Sequence, residues 1–358
     1  MLSCAIPFAL TTPGIPNRRR ILKVDEMQNH YEVAMRRAIV LAAQGQGRTG
    51  ANPVVGAVII DSEGAIISDG FHAGGDHAEV VAIKNASSIP AGATIVVTLE
   101  PCNHTGKTGP CTEAIIAAGI QRVVFAVKDP NPVAAGGQAR LEAAGIKVIY
   151  GVLEAEARFV NRAWLHVMEQ KRPFYIWKIA ATLDGKTAAS DGSSKWITSE
   201  ASRAYVSNLR RQSDALLVGT GTVTADDPEL IPHDDLKSSN PLRVVVGERA
   251  IPANAKVLDE RAQTLHHQSH DFDSLNTALL AHNVKQVLVE AGSELGTAMF
   301  RAGLIDEIVM IQAPTLLGAG RSFIGNLGID SLLNRIDLQL LSVVKIGSDI
   351  AAHLKVGK

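Results

Sequence analysis

The chain has 358 residues, of which 46% are hydrophobic and 20% charged, and its formal net charge is −1. This length exceeds that of one ordinary hydrophobic core, so we expect a folded protein of two domains. The near-neutral charge and the 4% of aromatic residues argue against a nucleic-acid partner, which would require a basic, aromatic surface.

Residues 1–26 form a leader that differs from the rest of the chain. Its apolar stretch CAIPFAL precedes the basic residues of NRRR, whereas a secretory signal places its positive charge first. Prolines at positions 7, 13 and 16 oppose a long helix, so we expect a disordered leader. No run of about 18 apolar residues occurs anywhere in the chain, so a membrane span is excluded, and we expect no membrane partner. Three cysteines cannot form a disulfide framework, and their scarcity favours a cytoplasmic location.

Predicted strands alternate with predicted helices between residues 27 and 152. Apolar residues at helical spacing from His30 to Gln44 are followed by a glycine-rich loop and the strand VVGAVII. A helix near His77, the strand ATIVVTL and a helix from Cys111 to Ala118 come next, and then the strands RVVFAV and KVIYGV with a helix between them. This alternation predicts a mixed or parallel sheet covered by helices on its faces.

A second α/β domain is predicted over residues 173–358. A connecting helix at residues 153–172 precedes it, because Pro173 then interrupts the helical pattern. The alternation restarts with the strand YIWKIAATLDG, the helix SEASRAYVSNLRRQ and the strands DALLVGT and LRVVVG. It continues with VKQVLVEAG, ELGTAMFRAG and EIVMIQAP, which predict a strand, a helix and a strand.

His77, Cys102 and Cys111 are the predicted metal ligands. A zinc ion that activates water needs three protein ligands and one open position, and imidazole and thiolate are suitable ligands. Glu79 lies two residues after His77 and can move protons without binding the metal. Thiolate would be favoured further if each cysteine opened a helix. Alone, each residue has an ordinary explanation as a helix cap or a buried thiol, but together H-A-E and E-P-C match a nucleobase deaminase signature.

The stretch EPCNHTGKTGPC resembles one family in particular, the riboflavin-biosynthesis deaminases, with Gly109 in place of a usual proline. The segments ANPVVGAVII and DPNP also resemble that family, with Ala51 in place of a proline. The resemblance implies a cytidine-deaminase-like, three-layer α/β/α domain and a small phosphorylated pyrimidine as substrate. It further implies a pyrimidine and phosphoribosyl pocket lined by Asn52, His72, His104, Lys107, Asp129 and Asn131.

The second half is similar to the reductase domain fused to this deaminase in bacterial bifunctional riboflavin enzymes. The similarity lies in WKIAATLDGKTA, SSKWITS, LRRQSDALLVGTGTVTADDP and VEAGSELGTAMF, which occur in that order. It implies a dihydrofolate-reductase-like α/β fold, NADPH as cofactor and a homodimer or higher homo-oligomer. The implied substrate residues are Ser194, Arg210 and Glu290. The implied NADPH residues are Ala180, Trp196, Thr222, Asp226, Gly292, Ser293, Glu294, Leu295, Gly296, Thr297 and Ala298.

Two positions depart from the reductase pattern. His233 stands where the family often has an arginine, so a second phosphate-binding residue is missing from the motif. Gly247 and Glu248 stand where many relatives have an acidic residue and a serine, and a glutamate near the ribose would repel the 2′-phosphate of NADPH. The sequence therefore leaves the preference between NADPH and NADH open.

The function implied is deamination of 2,5-diamino-6-ribosylamino-4(3H)-pyrimidinone 5′-phosphate, followed by NADPH-dependent reduction of the ribosyl group to ribityl. Lys178 and Glu290 are candidates to assist opening of the sugar ring. The alternatives are an active deaminase with an impaired or altered reductase, a tRNA-type deaminase, and a zinc-stabilised scaffold without activity.

Overall fold

The structure is a computed structural model that describes residues 18–106, 109–233 and 240–357. The chain divides into two compact units, Met1–Glu169 and Gln170–Lys358. Among the described helices, none combines the length and the apolar character that crossing a membrane requires.

The first unit contains a five-stranded mixed sheet in the order β2-β1-β3-β4-β5. Strand β1 pairs antiparallel with β2 and β3, whereas β3, β4 and β5 are parallel. The strands are β1 (Gly56–Ile60), β2 (Ile66–Phe71), β3 (Thr94–Leu99), β4 (Arg122–Val127) and β5 (Lys147–Tyr150). The helices are α1 (Arg18–Ala43), α2 (Ala78–Asn85), α3 (Cys111–Ala117), α4 (Gly137–Ala143), α5 (Glu154–Val160) and α6 (Arg162–Gln170).

Helices cover both faces of this sheet because neighbouring residues of a strand point to opposite faces. Val58 and Ile60 of β1 belong to a core cluster with residues of α1, α5 and α6. Ala57 and Ile59 belong to a second cluster with residues of α2, α3 and α4. Helix α1 lies so close to β1 that a side chain at Gly56 would meet backbone. The unit is thus a three-layer α/β/α domain, as the motifs implied.

Two helical segments differ from the sequence-based expectation. Helix α1 begins at Arg18, so residues 18–26 of the expected disordered leader are helical; no proline follows position 16 in that stretch to stop the helix. Residues 1–17 lie outside the described part. The expected single connecting helix is divided into two helices at Asn161. The buried Asn161 side chain accepts a hydrogen bond from the Val54 backbone N–H at 2.9 Å and donates one to the Val54 carbonyl at 2.7 Å. Asn161 thereby ties this segment to the first unit.

The second unit contains an eight-stranded sheet in the order β10-β9-β8-β11-β6-β12-β15-β14, and a small pair, β13-β7. The strands are β6 (Phe174–Thr182), β7 (Lys186–Ala188), β8 (Ala215–Gly219), β9 (Leu242–Val246), β10 (Thr264–His267), β11 (Gln286–Val289), β12 (Ile305–Ala313), β13 (Arg321–Ser322), β14 (Leu338–Ile346) and β15 (Asp349–Val356). The helices are α7 (Glu200–Arg211), α8 (Thr220–Asp226), α9 (Phe272–Ala281) and α10 (Ser293–Arg301).

Strands β10, β9, β8, β11, β6 and β12 are parallel to one another, so their carboxyl ends lie along one edge of the sheet. Ligands of open α/β sheets bind at this edge. The C-terminal strands β14 and β15 form an antiparallel hairpin that continues the sheet beyond β12. The alternation pattern predicted the parallel strands β6, β8, β9, β11 and β12 but not this hairpin.

Candidate active sites

Three loop and helix ends bring the predicted metal ligands together in the first unit. His77 immediately precedes α2, Cys102 lies in the loop after β3, and Cys111 is the first residue of α3. The Nδ1 atom of His77 lies 3.1 Å from Cys111 Sγ and 3.5 Å from Cys102 Sγ. All three ligand atoms lie within 4.8 Å of one another. One imidazole nitrogen and two sulfurs around a common point form a donor set that fits zinc.

The two thiols of this site differ in acidity. Hydrogen bonds from Cys111 and His77 lower the pKa of Cys102, which makes Cys102 the more acidic of the two. The same hydrogen bond raises the pKa of Cys111, whose thiol is the donor. Cys111 opens a helix as the sequence suggested, whereas Cys102 lies in a loop. A bound metal ion would replace the shared proton and deprotonate both sulfurs.

Glu79 lies beside the ligand cluster and is almost completely buried, at 4% exposure. It is the second residue of α2, and its carboxyl group contacts the Cys111 side chain. Burial raises the pKa of Glu79 to about 7. A carboxyl group with a pKa near the working pH can both accept and release a proton.

Two of the predicted pocket residues meet next to His77. Asn52 Nδ2 lies 3.4 Å from His72 Nε2, and the His72 ring meets the His77 ring edge-on with a centroid distance of 5.5 Å. His72 Nδ1 lies 3.0 Å from the carbonyl oxygen of Asp76. Because a carbonyl can only accept, we assign the proton to Nδ1, which leaves Nε2 as the acceptor for Asn52.

The other predicted pocket residues follow β3 and β4. The Asn131 backbone N–H donates to Asp129 Oδ1 at 2.8 Å, which shapes the turn after β4. Burial raises the pKa of Asp129, and its carboxyl group lies within electrostatic range of Cys102 and His104. The buried Nδ1 atom of His104 finds no hydrogen-bond partner among the described residues. Lys107, the sixth predicted pocket residue, lies outside the described residues.

A buried charge cluster joins two predicted substrate residues of the second unit. Arg210 Nε and Nη2 donate to the two carboxylate oxygens of Glu290 at 2.6 and 3.0 Å, and Lys178 Nζ lies 3.2 Å from Glu290 Oε2. Burial alone would raise the pKa of Glu290, but the charges of Arg210 and Lys178 outweigh it and hold that pKa well below its usual range. His233 also joins the cluster, with Nε2 3.3 Å from Arg210 Nη1.

The predicted NADPH segment forms the start of α10. Gly292 precedes the helix and offers no capping side chain, so backbone N–H groups of the first turn are available to a phosphate. Gly296 lies against Trp177, where a Cβ atom would come within 2.2 Å of the indole. A cavity of about 360 Å³ is lined by Ser293, Glu294, Thr297, Ala298, Arg301, Gly325 and Asn326. The motifs did not indicate Arg301, Gly325 or Asn326, which belong to no recognisable pattern.

The remaining cofactor and substrate candidates lie on β6, on α8 and in the loop before α7. Trp196 is 71% exposed, and the guanidinium of Arg203 lies 4.6 Å from its ring centre. Lys195 Nζ donates to the Asp226 carbonyl at 3.4 Å, which brings this loop to the end of α8. Ser194 directly precedes Lys195 in this loop, Ala180 lies on β6, and Thr222 lies on α8.

The departure at Glu248 lies at the carboxyl end of β9. Gly247 has a φ of 130°, and a Cβ atom there would come within 2.7 Å of the Thr220 hydroxyl, so the chain passes close to the start of α8. The Glu248 side chain is 78% exposed, and its carboxylate lies 4.0 Å from His270 Nδ1. A negative charge therefore does stand at the edge where the cofactor ribose is expected.

Known proteins resemble this chain along most of its length. Residues 28–127 match the family model of the cytidine and deoxycytidylate deaminase zinc-binding region, and residues 173–352 match that of the RibD C-terminal domain. The riboflavin biosynthesis protein RibD of Mycobacterium tuberculosis is 45% identical over 335 residues, which cover 92% of this chain and 98% of the relative.

Solved structures agree with the sequence relatives. A diaminohydroxyphosphoribosylaminopyrimidine deaminase/5-amino-6-(5-phosphoribosylamino)uracil reductase of Thermotoga maritima has a TM-score of 0.86 and 34% identity, covering 92% of this chain and 100% of that chain. RibD of Acinetobacter baumannii has a TM-score of 0.84 and 35% identity at the same coverage. The chain therefore belongs to the RibD family of riboflavin biosynthesis, and is a bifunctional enzyme with a zinc-dependent deaminase domain and an NADPH-dependent reductase domain.

Proposed function

We propose that His77, Cys102 and Cys111 hold the zinc ion of the deaminase and that Glu79 is its proton carrier. This proposal rests on one observation: one Nδ1 and two Sγ atoms lie close together beside the buried carboxyl group of Glu79, which is not itself one of the three ligands. When bound, zinc supplies a water molecule that is acidic near neutral pH. The substrate we propose is 2,5-diamino-6-ribosylamino-4(3H)-pyrimidinone 5′-phosphate.

Glu79 acts twice in the proposed hydrolysis. It first accepts a proton from the attacking water, whose oxygen forms a bond to C2 of the pyrimidine while the C2=N3 double bond opens. It then donates that proton to the departing 2-amino nitrogen, so the exocyclic C–N bond breaks, the C2=N3 double bond re-forms and ammonia leaves. The pKa of about 7, which results from burial, suits both directions of transfer.

The pyrimidine pocket we propose lies between the two loops that flank the zinc ligands. Asn52 and His72 approach from the side of α2, and Asp129, Asn131 and His104 approach from the carboxyl ends of β3 and β4. Amide, imidazole and carboxyl groups can pair with the donors and acceptors of a diaminopyrimidinone. Lys107 is proposed to bind the substrate phosphate.

The reductase half uses the cluster of Lys178, Arg210 and Glu290 in our proposal. When bound, NADPH supplies the hydride that reduces C1′ of the ring-opened ribose. Lys178 and Glu290 assist ring opening: the Lys178 ammonium can donate a proton to the ring oxygen of the sugar, and the ionised Glu290 carboxylate holds Lys178 in place. Arg210 contributes the remaining N–H of its fork to the substrate phosphate while Glu290 holds it in place. Ser194 is the third substrate residue.

The cofactor site we propose lies at the carboxyl ends of the parallel strands in the sheet of the second unit. The turn of residues 292–298 binds the phosphates through backbone N–H groups, and four of its residues line the cavity beside α10. Trp196 presents an exposed ring for stacking. Ala180, Thr222 and Asp226 complete the proposed contacts.

We also propose that the enzyme is a cytoplasmic homodimer or higher homo-oligomer. Strand β14 is an edge strand of the sheet, and Leu340, Val343 and Val344 on it are each more than 40% exposed. An edge strand with apolar side chains can pair with a second copy. Analytical ultracentrifugation tests this, since a monomer at micromolar concentration would contradict it.

The deaminase assignment is tested with the variant Glu79→Gln. The amide keeps the shape of the side chain but cannot carry a proton, so we expect ammonia release to fall by about 10²- to 10⁴-fold while zinc stays at one ion per chain. The exposed Glu63→Gln serves as the matched control. Ammonia release by Glu79→Gln at the wild-type rate would contradict the assignment.

A further inference from the structure

We infer that Glu100 is a positioning residue of the deaminase, which sets the loop of residues 129–138 against the turn that carries Cys102. Glu100 directly follows β3 and is 8% exposed. It is not among the residues that the motifs assign to metal, substrate or proton transfer. The inference rests on the proposed function, in which this loop carries the substrate residues Asp129 and Asn131.

The Glu100 carboxylate accepts hydrogen bonds from both ends of the loop of residues 129–138. Its Oε2 atom accepts a hydrogen bond from the Asp129 backbone N–H at 3.3 Å, and its Oε1 atom accepts one from the Gln138 backbone N–H at 2.9 Å. The Glu100 backbone N–H donates to the Val127 carbonyl at 2.8 Å, which holds its own main chain to the end of β4. One buried side chain thus joins the ends of β3 and β4 to the first turn of α4.

Two further contacts leave little room between the loop of residues 129–138 and the turn that carries Cys102. The Asn103 backbone N–H donates to the Ala134 carbonyl at 3.2 Å. A Cβ atom at Gly137 would come within 1.9 Å of the Pro101 carbonyl oxygen, so only glycine allows this approach. Because Pro101 and Asn103 flank Cys102, the loop is fitted directly onto the chain that presents this ligand.

We therefore expect that loss of the Glu100 carboxylate would move the loop of residues 129–138 and leave the turn that carries Cys102 in place. Two backbone N–H groups would lose their acceptor, and the loop would relax towards water to satisfy them. Cys102 would still be held by the start of α3, where the Thr112 backbone N–H donates to the Cys102 carbonyl at 3.3 Å and the Cys111 backbone N–H donates to Cys102 Sγ at 3.5 Å. The expected effect is a loss of substrate binding with retention of zinc.

The test compares Glu100→Ala, Glu100→Gln and the matched control Glu142→Gln, an exposed glutamate on α4. Ammonia release gives KM and kcat, metal analysis gives zinc per chain, and NADPH oxidation with the deaminated substrate reports on the other domain of the same molecule. For Glu100→Ala we expect KM to rise about 10- to 100-fold, with kcat changed by less than about threefold. Zinc content and reductase rate should equal those of the wild type.

Glu100→Gln should lie between the wild type and Glu100→Ala, because its amide oxygen retains one of the two acceptors. This variant decides the matter if Glu100→Ala fails to fold. An unchanged KM in both variants, or a loss of zinc that parallels the loss of activity, would overturn the inference. A wild-type protein that binds zinc but releases no ammonia would overturn the proposed deaminase function itself, which the Glu100 variants by themselves cannot do.

Discussion

The deaminase site and the reductase site of this chain are built in different ways. The proposed metal ligands of the deaminase come from short motifs. In the structure, His77 Nδ1 lies 3.1 Å from Cys111 Sγ and 3.5 Å from Cys102 Sγ. The reductase residues come from distant segments, and its charged side chains neutralise one another in the cluster of Lys178, Arg210 and Glu290. A metal site requires particular side chains, whereas a dinucleotide site relies largely on backbone N–H groups.

The strongest way to separate the two sites is to remove zinc. Dialysis against a chelator should abolish ammonia release, because the residues proposed to hold the metal have no other means to activate water. NADPH oxidation with the deaminated substrate should continue, since none of the proposed reductase residues belongs to the metal cluster. Returning zinc should restore deamination, and a parallel loss of both activities would contradict the separation.

The charge cluster of the reductase should be the next most sensitive feature. Glu290→Gln removes the carboxylate that pairs with both Arg210 and Lys178, and breaking a buried pair in this way costs about 3–5 kcal/mol. We expect a lower unfolding temperature and a loss of reductase activity of about 10²-fold or more.

The exposed Glu260→Gln is the control for this substitution. Thermal unfolding monitored together with NADPH oxidation checks the prediction. A Glu290→Gln protein with unchanged stability would show that the cluster is more hydrated than its burial indicates.

Much of the fold was predictable because burial leaves a periodic pattern. The apolar runs of β3, β4, β8 and β11 are buried along most of their length, so pattern alone identified them. The hairpin of β14 and β15 was missed because most of its residues are only partly buried or exposed and lack a clear alternation. Packing at the end of the sheet, rather than local pattern, determines that hairpin.

The site was predictable to a different extent in the two domains. His77, Cys102, Cys111 and Glu79 were predicted from residue type and spacing, and the structure places all four together. The pairing of Arg210 with Glu290 across 80 positions could not be predicted, because no local pattern encodes it. Arg301 escaped notice for the same reason, since it lines a cavity together with Gly325 and Asn326, which are distant from it in sequence.

The smallest expected effect concerns the choice of cofactor. Glu248 places a negative charge at the carboxyl end of β9, where we expect it to oppose the 2′-phosphate of NADPH. Because the side chain is exposed and screened by salt, Glu248→Gln should strengthen binding of 2′-phospho-ADP-ribose only by about two- to fivefold. Binding of ADP-ribose should not change, and calorimetry with both ligands checks this. Equal strengthening for both would contradict a role in reading the 2′-phosphate.

The contact between Gly296 and Trp177 restricts how this enzyme can be altered. Since the indole leaves no space for even a methyl group at position 296, helix α10 cannot be lifted away from β6 by substitution without loss of the packed layer beneath it. We therefore expect Gly296 to be required for the position of the first turn of α10 above the sheet edge. Engineers who wish to change the nucleotide accepted by this enzyme should vary the loops around α10 and leave the helix itself unaltered.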